Sequence, residues 1–184
     1  MGKAEIREQY KHAVLDNGYT SNLIDKSLKM LKAGSNTVYI DLCLLNNKKV
    51  VRKICYSKGM YTREKRNYIR LADCDHVPAL VNFEDDTNTL IIEYSGKSPA
   101  NMFKWNLERE VYLPLVKTAY YDMYENYGLH HNDLKWKNIT IMDNVAYLID
   151  LVRSDYILAD QDTEHILQKI GISKEKERLL WDTQ

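Results

Sequence analysis

Apolar positions recur along this chain with two periods, and the switches between them mark its elements. Near the start, Ile6, Tyr10, Ala13 and Val14 form a helical stripe that stops around Asp16-Asn17-Gly18. Leu23, Ile24, Leu28 and Leu31 repeat that spacing behind a Thr20 or Ser21 cap, although the same stretch also fits, in part, a first strand. Residues 49–55 then alternate in a β-branched run, with Val51, Lys53 and Cys55 on one face and Val50, Arg52 and Ile54 on the other. The helical period returns over 61–72, where Glu64, Tyr68, Leu71 and Ala72 share a face. Thr89 to Glu93 reads as a strand running into a turn at Ser95-Gly96. The longest stripe is Val111, Tyr112, Leu115, Val116, Ala119, Tyr120, Met123, Tyr124 and Tyr127, with Gly128 where a C-terminal cap belongs. Two short apolar runs, 139–142 and 145–149, flank Asp143-Asn144, a two-residue hairpin turn. Two short helices are expected in the tail, over 160–170 and over 174–181 behind Ser173. Hairpins and helices in this mixture predict an α+β fold.

Between the long helix and the hairpin stands His131-Asn132-Asp133-Leu134-Lys135-Trp136-Lys137-Asn138, and the second hairpin strand ends at Ile149-Asp150. An acid, a lysine, an amide and a second acid in this order and spacing suit phosphoryl transfer. The first acid accepts the proton of an attacking hydroxyl, while the amide and the second acid hold the magnesium that neutralises ATP phosphates. His131, Asp133 and Asn138 meet the spacing His-x-Asp-x-x-x-x-Asn without a gap, within a helix–loop–hairpin context. The chain therefore resembles the protein-kinase-like superfamily over roughly residues 31–153, most strongly over 131–150.

The resemblance implies a single domain, 1–184, with a minimal two-lobed kinase-like fold. A small antiparallel sheet and the N-terminal helices would fill about 1–94, and a truncated, mainly helical lobe about 95–184. It assigns Asp133 as catalytic base, Lys135 as the cation beside the transferred phosphate, and Asn138 and Asp150 as magnesium ligands. Val51 and Lys53 fit the apolar-x-Lys pattern of a phosphate-contacting lysine; the alternative is a pair of rim cations, Arg52 and Lys53, on an edge strand. An acid on an apolar helix face needs a cationic partner, so Glu64 is expected to pair with Lys53, unless it is solvated beside Arg63, Lys65 and Arg66. By resemblance, the backbones of Glu93 and Ser95 bind the adenine edge and Ile92 is the gatekeeper. Val38, Val51 and Thr140 line the nucleotide, and Ala33-Gly34-Ser35 cover its phosphates.

That covering loop is degenerate. Laid back from Val38, the pattern G-x-G-x-x-G-x-V asks for glycine at Leu31, Ala33 and Asn36, and only Gly34 is present, out of register. Leu151-Val152 replaces the usual Phe-Gly after the metal-binding acid, and Asn132 replaces the usual Arg between His and Asp. Only 34 residues follow Asp150, too few for an activation loop and a full helical lobe, so no activation-loop switch is expected. Asp-Leu-Lys-Trp-Lys-Asn-Ile and Ile-Asp-Leu-Val-Arg resemble small bacterial kinases of lipopolysaccharide core sugars, and the short second lobe resembles minimal effector kinases. Lys135 favours a protein Ser/Thr hydroxyl as acceptor over a sugar or other small molecule. A pseudokinase that binds nucleotide without turnover is the alternative from another class.

Composition narrows the partners. Formal net charge is +0, so no polyanion such as nucleic acid is indicated. Three cysteines, Cys43, Cys55 and Cys74, show no metal spacing and read as free thiols of a reducing cytosol. No apolar run approaches membrane-spanning length, and no signal-peptide core is evident. A cytoplasmic enzyme, or a secreted effector acting in a host cytosol, is expected, with ATP and a protein substrate as partners.

Overall fold

The alternating run that carries Lys53 lies inside a five-stranded antiparallel sheet. The structure, a computed structural model, describes residues 24–31, 37–101 and 107–156. The helices expected at 6–14, 160–170 and 174–181, and Ala33, Gly34 and Ser35, lie outside them. The chain divides into two compact units. The first holds residues up to Ile69 together with Pro78–Tyr94, and the second holds Arg70–Val77 and residues from Ser95.

In the first unit, β1 (Lys26–Met30), β2 (Thr37–Leu45), β3 (Lys48–Cys55), β4 (Leu80–Glu84) and β5 (Thr89–Glu93) stand in the order β1-β2-β3-β5-β4. β3 bonds to β2 on one side and β5 on the other, which removes the alternative of an edge strand. Asn46 and Asn47, both left-handed at φ 49° and 61°, close the β2–β3 hairpin in two residues, as Asn tolerates better than most side chains. Residues 26–30, which share spacing with an apolar helical stripe, form a strand: Leu28 and Met30 are 41% and 54% exposed, so no buried helix face holds them.

The two faces of β3 are chemically different. Arg52 lies opposite Asp41 in register, and its Nε and Nη2 donate to the two carboxylate oxygens at 3.0 and 2.8 Å. Ser27 and Tyr39 hydroxyls donate to the same carboxylate. Arg52 and Asp41 are fully enclosed, so this charge pair is tolerated only because its hydrogen bonds are met. Lys53 points to the opposite face. There its register partners are Ile40 and Leu90, and the next rung is Leu42, Val51 and Ile92.

α1 (Lys58–Arg70) starts earlier than the apolar spacing implies because Ser57 caps it. The Ser57 hydroxyl accepts the Met60 N–H at 3.4 Å, and its carbonyl accepts that of Tyr61 at 3.0 Å. Tyr61, Glu64, Asn67 and Tyr68 form its buried face, whereas Ala72 is exposed beyond its end. Asp85 receives the Tyr61 hydroxyl at 2.6 Å and the Lys65 ammonium at 2.8 Å.

The second unit is built on α2 (Leu107–Tyr127). Its turns bury Val116, Ala119, Tyr120 and Met123, whereas Val111, at 71% exposure, leaves the stripe's first turn outside the core. Gly128, at φ 63°, ends the helix with its N–H on the Tyr124 carbonyl at 3.0 Å, the left-handed cap that the sequence signals. β6 (Leu129–His130) pairs with β9 (Asp155–Tyr156). β7 (Ile139–Met142) and β8 (Val145–Leu148) form the hairpin around Asp143-Asn144, whose φ values of 52° and 61° make the tight turn. Among the described residues no helix is long and apolar enough to cross a membrane. Among the described residues, two α-helices and a five-stranded antiparallel sheet, with two further two-stranded pairings, make the fold α+β.

Candidate active site

In the first unit, β3 and α1 bring one expected pair together. Lys53 Nζ donates to Glu64 Oε1 at 2.7 Å, and the two side chains are 7% and 0% exposed. The strand's period of two turns Lys53 away from Arg52, and the helix's buried face carries Glu64 inward. The Cys55 thiol, two residues from Lys53 on the same face, donates to Glu64 Oε2 at 3.7 Å. Val51 and Ile92 are cross-strand partners beside Lys53. Val38 is not among them. It packs with Tyr39 and Ile54, and Ile54 alternates to the face opposite Lys53. A bulge between Thr37 and Tyr39 shifts the register there, so the β2 residues level with Lys53 and Val51 are Ile40 and Leu42. Counting back from a sequence pattern could not reveal that shift. Glu93 is exposed at the end of β5, and its N–H is donated to the Ala79 carbonyl at 2.9 Å.

In the second unit, the segment 131–138 is tied to residues 149–153 by several bonds. His131 is fully enclosed, and burial holds its imidazole below the usual range. The ring is therefore neutral, with Nε2–H donating to the Ile149 carbonyl at 2.8 Å. The Ile149 N–H donates to the Asn138 carbonyl at 2.9 Å. Leu134, 1% exposed, anchors the loop's middle, and a 3-10 turn over Trp136–Asn138 closes it.

These anchors gather three of the expected residues. The Asn138 amide Nδ2 donates to the Asp133 carbonyl at 2.8 Å and to its Oδ2 at 3.1 Å. Lys135 Nζ pairs with Asp133 Oδ1. Burial pushes the Asp133 carboxyl up, but Lys135, Asn138 and Arg153 outweigh it and hold the group below the usual carboxylate range. With Nδ2 committed to Asp133, Oδ1 is the atom of Asn138 able to ligate a cation. Asp150 sits half-buried in the left-handed region, at φ 62° and ψ 56°, at the head of the 3-10 turn Leu151–Arg153. A non-glycine residue held there is costly and is often found at functional sites. Ser95 and Thr140 are both buried, and their hydroxyls bond each other at 2.7 Å. That bond and the Lys97–Ile141 bridge hold the segment after Gly96 against β7.

Among the described residues no group of three or more His, Cys, Asp or Glu gathers into a metal cage. Magnesium does not need one: it binds through one or two protein oxygens and completes its shell with water and phosphate. One carboxylate, Asp150, and one amide oxygen, from Asn138, fit that chemistry.

Two residues outside the expected set make contacts of note, Asn132 in the second unit and Cys55 in the first. Asn132 Nδ2 donates to the Arg153 carbonyl at 3.2 Å, a contact that no local pattern encodes. Cys55 was read only as a free thiol, and its alternation with Lys53 was the available signal. No protein-family model matches the chain, and no curated protein does.

Proposed function

We propose that this chain is an ATP- and magnesium-dependent phosphotransferase acting on a hydroxyl acceptor, with protein Ser or Thr as the favoured class. The observation that carries the proposal is the bonded set Asp133–Lys135–Asn138, on a loop tied to the segment ending at Asp150 by the Ile149–Asn138 backbone bond and the His131 ring. The Asn138 amide that clamps the acid leaves its own oxygen for a cation, and this supports the reading beyond the spacing alone.

In this proposal Asp133 accepts a hydrogen bond from the acceptor hydroxyl and orients its oxygen. As the new oxygen–phosphorus bond forms and the bond to ADP breaks, the hydroxyl proton passes to an Asp133 carboxylate oxygen. A carboxyl held below its usual range is a weak base, so its larger part is positioning, with the proton taken late. This suits a loose phosphoryl-transfer transition state. Lys135 balances charge on the transferred group. Asn138 and Asp150 would hold magnesium, which when bound neutralises phosphate charge. Within the first unit, Glu64 keeps the Lys53 ammonium oriented, which is what a phosphate-contacting lysine would need.

The degenerate glycine positions favour a second possibility, a pseudokinase that binds nucleotide without transfer. Thermal unfolding with and without ATP and magnesium tests the binding half of the proposal. At a hundred times Kd, a bound ligand stabilises by about 2.7 kcal/mol. A magnesium-dependent rise that disappears in Asp150→Ala supports the proposal, and no shift at millimolar ATP counts against it. A shift without transfer to any acceptor selects the pseudokinase.

A further inference from the structure

Arg153 stands out in the second unit. Leu151, Val152 and Ser154 are buried, at 0%, 4% and 0% exposure, and Arg153 between them is exposed. The 3-10 turn Leu151–Arg153 and the bond from Asn132 to the Arg153 carbonyl fix its backbone next to the loop that carries Asp133. Its charge is felt at Asp133, where it helps to lower the carboxyl. Of the two exposed lysines on that loop, Lys135 is already paired with Asp133, and Lys137 stands in the 3-10 turn that closes the loop. The Arg153 guanidinium has no ion-pair partner among the described residues, and the chain's neighbouring acids, Asp150 and Asp155, have contacts of their own.

An exposed guanidinium on a rigid, buried footing beside a hydroxyl-orienting acid is placed to recognise something that arrives with the hydroxyl. Its planar fork matches a carboxylate through two parallel hydrogen bonds. We propose that Arg153 is a specificity-determining residue that engages a carboxylate flanking the acceptor, so that the preferred substrate is Ser or Thr in an acidic stretch of peptide. This rests on the phosphotransferase proposal. Asn132 is then a positioning residue: it holds Arg153 instead of ordering an activation loop.

The test uses the full chain, ATP with magnesium, and three Ser peptides flanked by Glu, Ala or Lys. Wild type should favour the Glu peptide over the Ala peptide by about fivefold, the upper end for an exposed ion pair, and the difference should lie in KM. In Arg153→Gln the preference should collapse to near unity, and in Arg153→Glu it should turn toward the Lys peptide. A Glu preference that survives Arg153→Gln overturns the inference, as does a kcat loss shared equally by all three peptides. Wild-type transfer to the Ala peptide without a Glu preference counts against Arg153 alone. No transfer to any peptide counts against the parent proposal and removes this inference with it.

Discussion

Replacing Lys53 by Met should destabilise the first unit far more than a surface lysine would. The side chains of Lys53 and Glu64 are 7% and 0% exposed and 2.7 Å apart, so the change leaves an enclosed carboxylate without its cation. Breaking a buried pair from one side costs about 3–5 kcal/mol, against about 0.2–1 kcal/mol for an exposed pair. Enclosure decides between these figures, and the larger applies. Glu64→Leu should cost a similar amount by stranding the ammonium. The double variant, Lys53→Met with Glu64→Leu, removes both charges and should be more stable than either single variant, because no ion remains to be desolvated. Urea unfolding of the four proteins at pH 7, followed by circular dichroism, closes the cycle. Single costs below about 1 kcal/mol, or costs that simply add, would refute a coupled buried pair.

Two further outcomes follow from the second unit. Gly96 has φ +98°, and a Cβ there would lie 2.0 Å from the Ile141 carbonyl oxygen, so Gly96→Ala should lower stability by about 2–4 kcal/mol; a change within about 0.5 kcal/mol in thermal unfolding would contradict the close approach. Asp133 is depressed in the folded state, so its contribution is present above the ordinary carboxyl range and is lost only as pH falls through the lower folded value. Lys135→Met removes a main cause of that depression and should move the acid limb of kcat/KM to higher pH; an unmoved limb, or an unmoved Asp133 titration by NMR, would exclude Lys135 as the cause.

What was legible in the sequence was local and periodic. The period of two along β3 separates Lys53 from Arg52, and the three-to-four spacing of α1 puts Glu64 on a buried face. Gly128 and Asp143-Asn144 mark their cap and turn because each needs a left-handed backbone that few side chains accept. Long-range pairing hid the rest. Asp41 interrupts the apolar run of β2 and looks solvated until Arg52 arrives opposite it. Leu28 shares a helical spacing with Leu23, Ile24 and Leu31 yet is exposed in β1, so the structure takes the first-strand alternative, because spacing records periodicity and not burial. The bulge at the start of β2 moves Val38 off the Lys53 face, and only the strand register reveals it. Asn46-Asn47 was a readable hairpin signal that the apolar pattern alone passes over. Within the candidate site, the identities of Asp133, Lys135 and Asn138 stood in the motif, whereas Asn132 and Arg153 are joined by a contact across 21 positions.

The most direct measurement is phosphate transfer itself. Purified chain, ATP labelled on its γ-phosphate, magnesium and a Ser/Thr acceptor should yield labelled product, and Asp133→Asn should lower the rate by about a thousandfold, roughly 4 kcal/mol of barrier, while leaving the protein folded. Equal labelling by wild type and Asp133→Asn would contradict the account.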